Sequence, residues 1–198
     1  MKSVLVILAH PNFSQSVINR TFYEAAKTVE GVTLHDLYKE YPDGVINIPD
    51  EQQKILEADT LVFQHPLYWY SCPALLKEWI DIVLQYNFAY GPEGTALQDK
   101  NWLSVISTGT GKHSYDSEGD NRFTLRTFLT PFEQTAVLCN MQFLPPLVAY
   151  GAHSLAADHR ALTTLTQQYQ QVLTELVNDQ LPVSQIQSLD TLNQRWEH

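Results

Sequence analysis

Short, wholly apolar runs alternate along the chain with stretches in which apolar residues recur every three or four positions. Residues 4–9 are six consecutive apolar side chains. A half-exposed strand would alternate polar and apolar positions, so this run predicts a strand buried on both faces. Residues 32–37, 60–64, 102–107 and 143–149 are the other predicted strands, the last interrupted by Pro145 and Pro146. Helical spacing fills the intervals 17–29, 50–58, 73–84, 128–138 and 155–177. Asp50 with Gln53 reads as a capping-box-like pair, and Ser71 as the cap of the 73–84 helix. On that helix Leu75, Leu76, Trp79, Ile80, Val83 and Leu84 share one face. Strand and helix repeated five times predict an α/β protein with an open parallel sheet, helices on both faces and strand order 2-1-3-4-5.

Composition narrows this further. The chain has 198 residues, 44% of them hydrophobic and 17% charged, which suits one domain with a full core. Residues 1–180 read as that domain and residues 181–198 as a C-terminal tail. Twelve Lys and Arg stand against 22 Asp and Glu, a net charge of −10, which disfavours nucleic acid and bare anionic membrane as partners. The apolar run at 4–9 is too short for a membrane span or a signal peptide, so the expected location is cytoplasmic. Cys72 and Cys139 are 67 positions apart with no CxxC spacing, and read as packing residues. His10 and His65 have no third ligand at metal-binding spacing, so no metal is expected.

In such a sheet, ligands bind beyond the carboxyl ends of the strands where the strand order reverses. That directs attention to the loops after strands 1, 3 and 4. The first, residues 10–19, has no glycine and so is neither a dinucleotide fingerprint nor a Walker loop. It sets Ser14, Ser16 and Asn19 at a helix start, a chemistry suited either to one phosphate monoester or to simple capping. The second places Tyr68, Trp69 and Tyr70 in a row between Pro66 and Pro73. Three aromatics in an extended loop cannot all point inward, so at least one should face the crevice and meet a flat ring. The third, Thr108-Gly109-Thr110-Gly111, allows backbone N–H groups to approach a carbonyl or a developing anion. A phosphate end, an aromatic wall and a hydrogen-bonding edge together match riboflavin phosphate.

The runs Ala9-His10-Pro11, Ser16 to Asn19, His65 to Tyr70 with Pro73 to Lys77, and Thr108 to Gly111 resemble the flavodoxin-like NAD(P)H:quinone oxidoreductases. The resemblance extends from about residue 3 to 153. It is nearest to the small bacterial branch that includes ancillary subunits of glutathione-gated Kef potassium-efflux systems, to which Phe63 to Pro66, Tyr41 to Asp43 and Leu144 to Pro146 also point. It implies a flavodoxin-like three-layer sandwich with a five-stranded parallel sheet. It further implies a flavin held by His10, by Ser16, Val17, Ile18 and Asn19 at the phosphate, and by Pro66, Leu67, Tyr68, Trp69, Tyr70, Thr108, Gly109, Thr110 and Gly111 around the ring. The short chain favours FMN over FAD, with NADH or NADPH as co-substrate and a quinone or similar flat acceptor in a ping-pong cycle. Tyr115 matches a tyrosine beside the flavin in larger relatives, where the histidine accompanying it falls near Asn121 here. A homodimer is implied, with Tyr90 reaching the substrate slot of the partner. The alternative implied function is a regulatory subunit, peripheral at the inner membrane through a Kef transporter. A third is a flavodoxin-like carrier of single electrons.

Overall fold

The structure, a computed structural model, describes residues 1–197. Its centre is a parallel sheet built from β1 (Val4–Leu8), β2 (Val32–Asp36), β3 (Thr60–Pro66) and β4 (Asn101–Ser107), joined by two short strands, β5 (Gln142–Phe143) and β6 (Leu147–Ala149). The order is β2-β1-β3-β4-β5, with β6 also paired to β4. The predicted doubly wound sheet is therefore present, but its fifth strand is two pieces. β5 pairs with the start of β4 and β6 with its end. Leu144, Pro145 and Pro146 lie between, because two successive prolines have no N–H to give to the ladder.

Every residue of β1 is buried, and alternate side chains enter different cores. Leu5, Ile7 and Ala9 join Leu61, Phe63, Trp79 and Trp102 on one side of the sheet. Val4 and Val6 join Ile18, Phe22, Tyr169 and Val172 on the other. Two covered faces explain why the strands read as continuous apolar runs. The first core is roofed by α2 (Leu37–Glu40), α3 (Ile48–Glu57), α4 (Ala74–Val83) and α6 (Thr130–Leu138), and the second by α1 (Val17–Ala26) and α8 (His159–Val177). A buried carboxylate ties the first layer together: Glu51 accepts from Tyr41 Oη at 2.7 Å, Trp79 Nε1 at 2.7 Å and Lys54 Nζ at 2.9 Å, with His35 Nε2 at 2.9 Å.

Helix ends depart from the sequence expectations in identifiable ways. Asn47, not Asp50, caps α3, its side chain accepting the Asp50 N–H. Pro73 rather than Ser71 precedes α4, and the Ser71 N–H closes a tight turn onto Tyr68 O. The predicted 128–138 helix breaks at Leu129 into α5 (Leu125–Phe128) and α6, whose first turn holds Pro131. The predicted 155–177 helix starts earlier, as α7 (Ala152–Ala157), and breaks at Asp158, whose carboxylate caps α8. Residues 181–197 carry α9 (Val183–Ile186) and a 3₁₀ turn, Leu192–Trp196, and bury Ile186 and Leu192 in the second core. Among the described residues no helix is long and apolar enough to cross a membrane.

Candidate functional site

Register brings the carboxyl ends of the central strands together. Leu8 stands beside Gln64, Pro66 beside Ser107, and Ser107 beside Ala149. The loops after β1, β3, β4 and β6 thus emerge along one edge of the sheet.

At the β1 end the His10 ring is almost fully buried. Its Nδ1 accepts the Asn12 N–H at 3.1 Å, which fixes the ring proton on Nε2. Burial lowers its pKa, outweighing opposite pulls from its own backbone and from Asp36, so near neutrality the ring is an uncharged Nε2–H donor. Ser16 caps α1: its Oγ receives the Asn19 N–H at 3.3 Å, and its carbonyl receives the Arg20 N–H. Of the four orphan donors at a helix start, those of Val17 and Ile18 then have no acceptor among the described residues. The Ile18 side chain lies in the second core, so only its backbone faces outward chemistry. The Asn19 amide is buried as well, donating to Ser16 Oγ at 3.1 Å and Ser107 Oγ at 2.9 Å. It braces Ser16 rather than projecting from the surface.

The loop after β3 is strained. Trp69 and Tyr70 both have positive φ, 48° and 62°, in a turn closed by the Ser71 N–H on Tyr68 O at 3.0 Å. Each left-handed non-glycine residue costs about 1 kcal/mol or more, and Trp69 is 93% exposed. Tyr70 anchors the turn by stacking on Phe128, centroids 4.8 Å apart, and by donating to Asn121 Oδ1 at 3.3 Å. His65, fully buried, holds the Pro66 carbonyl at 2.9 Å from Nδ1, and burial pushes its pKa down to about 4.

The loop after β4 is pinned from behind and open in front. The Thr108 N–H donates to Ala149 O, Thr108 Oγ1 to Thr110 O, Gly151 N–H to Thr110 O and Ala152 N–H to Thr108 O. The N–H groups of Gly109, Thr110 and Gly111 find no acceptor among the described residues. A Cβ on Gly109 would meet nothing within 4 Å, and its φ is not positive. The fold does not demand glycine there. Close approach by a ligand would.

Two clefts occupy this edge. One, of about 300 Å³, is lined by His10, Asn12, Gln15, Ser16, Pro66, Leu67, Tyr68, Ser107, Thr108, Gly109, Ala152 and His153. The other, of about 210 Å³, is lined by Leu67, Trp69, Tyr70, Gly109, Thr110, Tyr115 and Asn121. Leu67 and Gly109 line both, so the two clefts adjoin, and together they are the groove of this edge. Most sequence-predicted residues converge on it. Val17, Ile18, Asn19 and Gly111 line neither cleft, and Tyr90 lies outside both, packed against Tyr86 and the first core. Ala152 and His153 follow β6, and the strand-order rule points to the loops after strands 1, 3 and 4, so no sequence signal marks them. Asn12, Gln15 and Ser107 carry no signal beyond their position next to predicted residues. Burial raises the Cys72 and Cys139 pKa values to about 11, which keeps both thiols protonated.

Comparison with known proteins gives the family. Residues 2–173 match the Flavodoxin_2 family, described as having a flavodoxin-like fold. The glutathione-regulated potassium-efflux system ancillary protein KefG of Pectobacterium carotovorum is 47% identical over 155 residues, 78% of this chain and 85% of that protein. The general stress protein 14 of Treponema denticola, solved in complex with FMN, superposes with a TM-score of 0.82 at 35% identity, covering 88% of this chain and 99% of that one. An NADPH-quinone reductase from P. pentosaceus gives 0.80 at 34%, covering 87% and 98%. The chain belongs to the Flavodoxin_2 family, within its flavodoxin-like quinone reductases and close to the KefG proteins.

Proposed function

We propose that the chain is an FMN-dependent NAD(P)H:quinone oxidoreductase. The observation that carries this reading is the pair of adjoining clefts, with unpaired donors beside each and aromatic side chains lining both. A phosphate fits the first end, where His10, an Nε2–H donor, and Ser16 line the cleft with no carboxylate among its lining residues, beside the helix start whose Val17 and Ile18 N–H groups have no acceptor among the described residues. A flat ring fits the second, with Leu67, Trp69 and Tyr70 alongside, Tyr68 on the neighbouring first cleft, and the free N–H groups of Gly109 and Thr110 at its edge. Those donors are preorganised for negative charge on that edge. When bound there, FMN supplies two-electron transfer from NADH or NADPH to a quinone or similar flat acceptor. Tyr115, buried against Phe128 and Tyr150 and lining the second cleft, is the residue we assign to touch the reacting partners. In a homodimer, Tyr90 would come from the second copy; in its own chain it lines neither cleft.

The test is denaturing release of bound cofactor with identification by mass, then NAD(P)H oxidation with menadione. A protein that stays colourless and shows no fluorescence change with micromolar FMN would overturn the reading.

The identity to KefG favours a second role, compatible with the first: an ancillary subunit acting on a potassium-efflux transporter from the cytoplasmic side. Potassium efflux measured in a deletion strain, complemented by wild type or by a groove variant, decides it. Unchanged efflux on deletion removes it.

A further inference from the structure

The C-terminal segment 181–197 lies beyond the residues matched by the family, 2–173, yet it reaches the loop that carries the free N–H groups. Among the described residues, the outer edge of β6 has no neighbouring strand. In its place the Asn193 amide accepts the Val148 N–H at Oδ1 and donates from Nδ2 to Val148 O, both at 2.9 Å. A side chain here stands in for a strand, satisfying a donor and an acceptor of an exposed edge. The Leu192 N–H adds a bond to Pro146 O at 2.8 Å, and Gln187 Nε2 one to Phe143 O at 3.3 Å. Buried Ile186 and Leu192 hold the segment down, and Arg195 pairs with Glu175 through two bonds of 2.7 and 3.1 Å.

The next residue along from Val148 makes the connection. Ala149 O receives the Thr108 N–H at 3.0 Å, and Gly151 and Ala152 donate back to Thr110 O and Thr108 O. At the far end of the same loop, Lys112 Nζ meets Glu197 at 2.6 and 2.7 Å. The loop 108–112 is thus fastened near both ends through the C-terminal segment, while the N–H groups between them have no acceptor among the described residues. We propose that Asn193 is a positioning residue for the site: by clamping β6 it sets the loop 108–111 in the geometry that receives the ligand, with Glu197 as a weaker second tie. The segment read from sequence as a tail would then be part of the binding apparatus, although none of its residues lines the groove. This inference rests on the FMN reading for its affinity arm only.

The experiment uses the full chain with Asn193→Leu, which keeps bulk and removes both amide bonds, and Asn193→Asp, which retains only the acceptor for the Val148 N–H. FMN titration by fluorescence, thermal melting and amide hydrogen exchange are read on each. The expected result is FMN affinity lowered about five- to tenfold for Asn193→Leu, the weight of about one net hydrogen bond. Exchange should be faster at Thr108, Gly151 and Ala152. Asn193→Asp should fall between, and Glu197→Gln should change affinity less than threefold, as an exposed ion pair does. A lowered melting temperature with FMN affinity and Thr108 exchange both unaltered overturns the proposal and leaves the segment a stabiliser only. If wild type takes up no FMN, the functional reading fails, and the exchange arm still decides whether Asn193 sets the loop.

Discussion

Gly109 separates a residue the fold needs from one a ligand needs. Its backbone does not require glycine, and an added methyl touches nothing in the protein. Gly109→Ala should therefore leave the apo protein intact, or stabilise it by about 0.4–1 kcal/mol through the unfolded state. At this chain length that is a rise of roughly 1–4 °C in melting temperature. The ligand meets the opposite consequence. A ring seated on the loop at a van der Waals distance of about 3.5 Å would have to retreat by roughly an ångström to clear a carbon about 1.5 Å above Cα. Hydrogen bonds from the Gly109–Gly111 N–H groups would then stretch beyond about 3.5 Å and be lost. Two such bonds at about 1 kcal/mol each amount to some 30-fold in FMN affinity. Fluorescence titration and thermal melting on the same sample give both numbers. Gly151→Ala is the contrast: with φ at +62° and a Cβ 2.8 Å from Ser154 Oγ, it should lower stability as well as affinity. A Gly109→Ala protein that melts higher and binds FMN as tightly as wild type would refute the placement of the ring on this loop.

How much of this the sequence revealed depends on the range of the interactions involved. The strands β1, β3 and β4 are legible because both faces are covered, so local apolarity alone marks them. The loops that follow them are legible as a consequence, since topology puts them side by side. The division of the last strand was visible as Pro145-Pro146, but its effect on pairing was not, because pairing is decided by β4. Helix caps were misplaced by up to three residues: Asp50 and Asn47 are equally good cap residues, and only the chain's approach to α3 selects between them. The positive φ of Trp69 and Tyr70 was hidden because neither residue type favours it; the turn is imposed by Tyr70 stacking on Phe128, 58 positions away. The C-terminal segment was unreadable for a related reason. Its polar residues carry no helical or strand period, and Asn193 has a role only once Val148 lies beside it.

Three further outcomes follow. Trp69→Gly relieves a left-handed residue that is 93% exposed, so stability should rise by about 1 kcal/mol while KM for menadione rises; a fall in urea midpoint would contradict the strain argument. Burial pushes the Glu51 carboxyl upward, but hydrogen bonds from His35, Lys54 and Tyr41 outweigh it and bring the pKa to about 2. Its stabilisation, on the order of 3 kcal/mol, is present above pH 4.5 and lost as pH falls towards 2, a loss that Glu51→Gln should abolish in urea melts between those limits. His65 acts in a higher window. Burial lowers its pKa from 6.5 to about 4, against a smaller opposing pull from the Pro66 carbonyl. Between those values the unfolded chain binds a proton that the folded chain refuses, so stability rises with pH there and is lost on acidification. A shift of that size corresponds to roughly 3 kcal/mol once pH reaches 4. His10, lowered in the same direction, adds to the slope, so urea midpoints from pH 8 to pH 5 must be compared with those of His65→Gln, which keeps a donor for Pro66 O and does not titrate. The slope should be visibly shallower in the variant, and the His65 ring proton resonances in wild type should stay unmoved down to pH 5. A His65 titration centred near 6.5 would mean the ring reaches water, and the rigid end of β3 on which the aromatic turn is built would have to be abandoned with it.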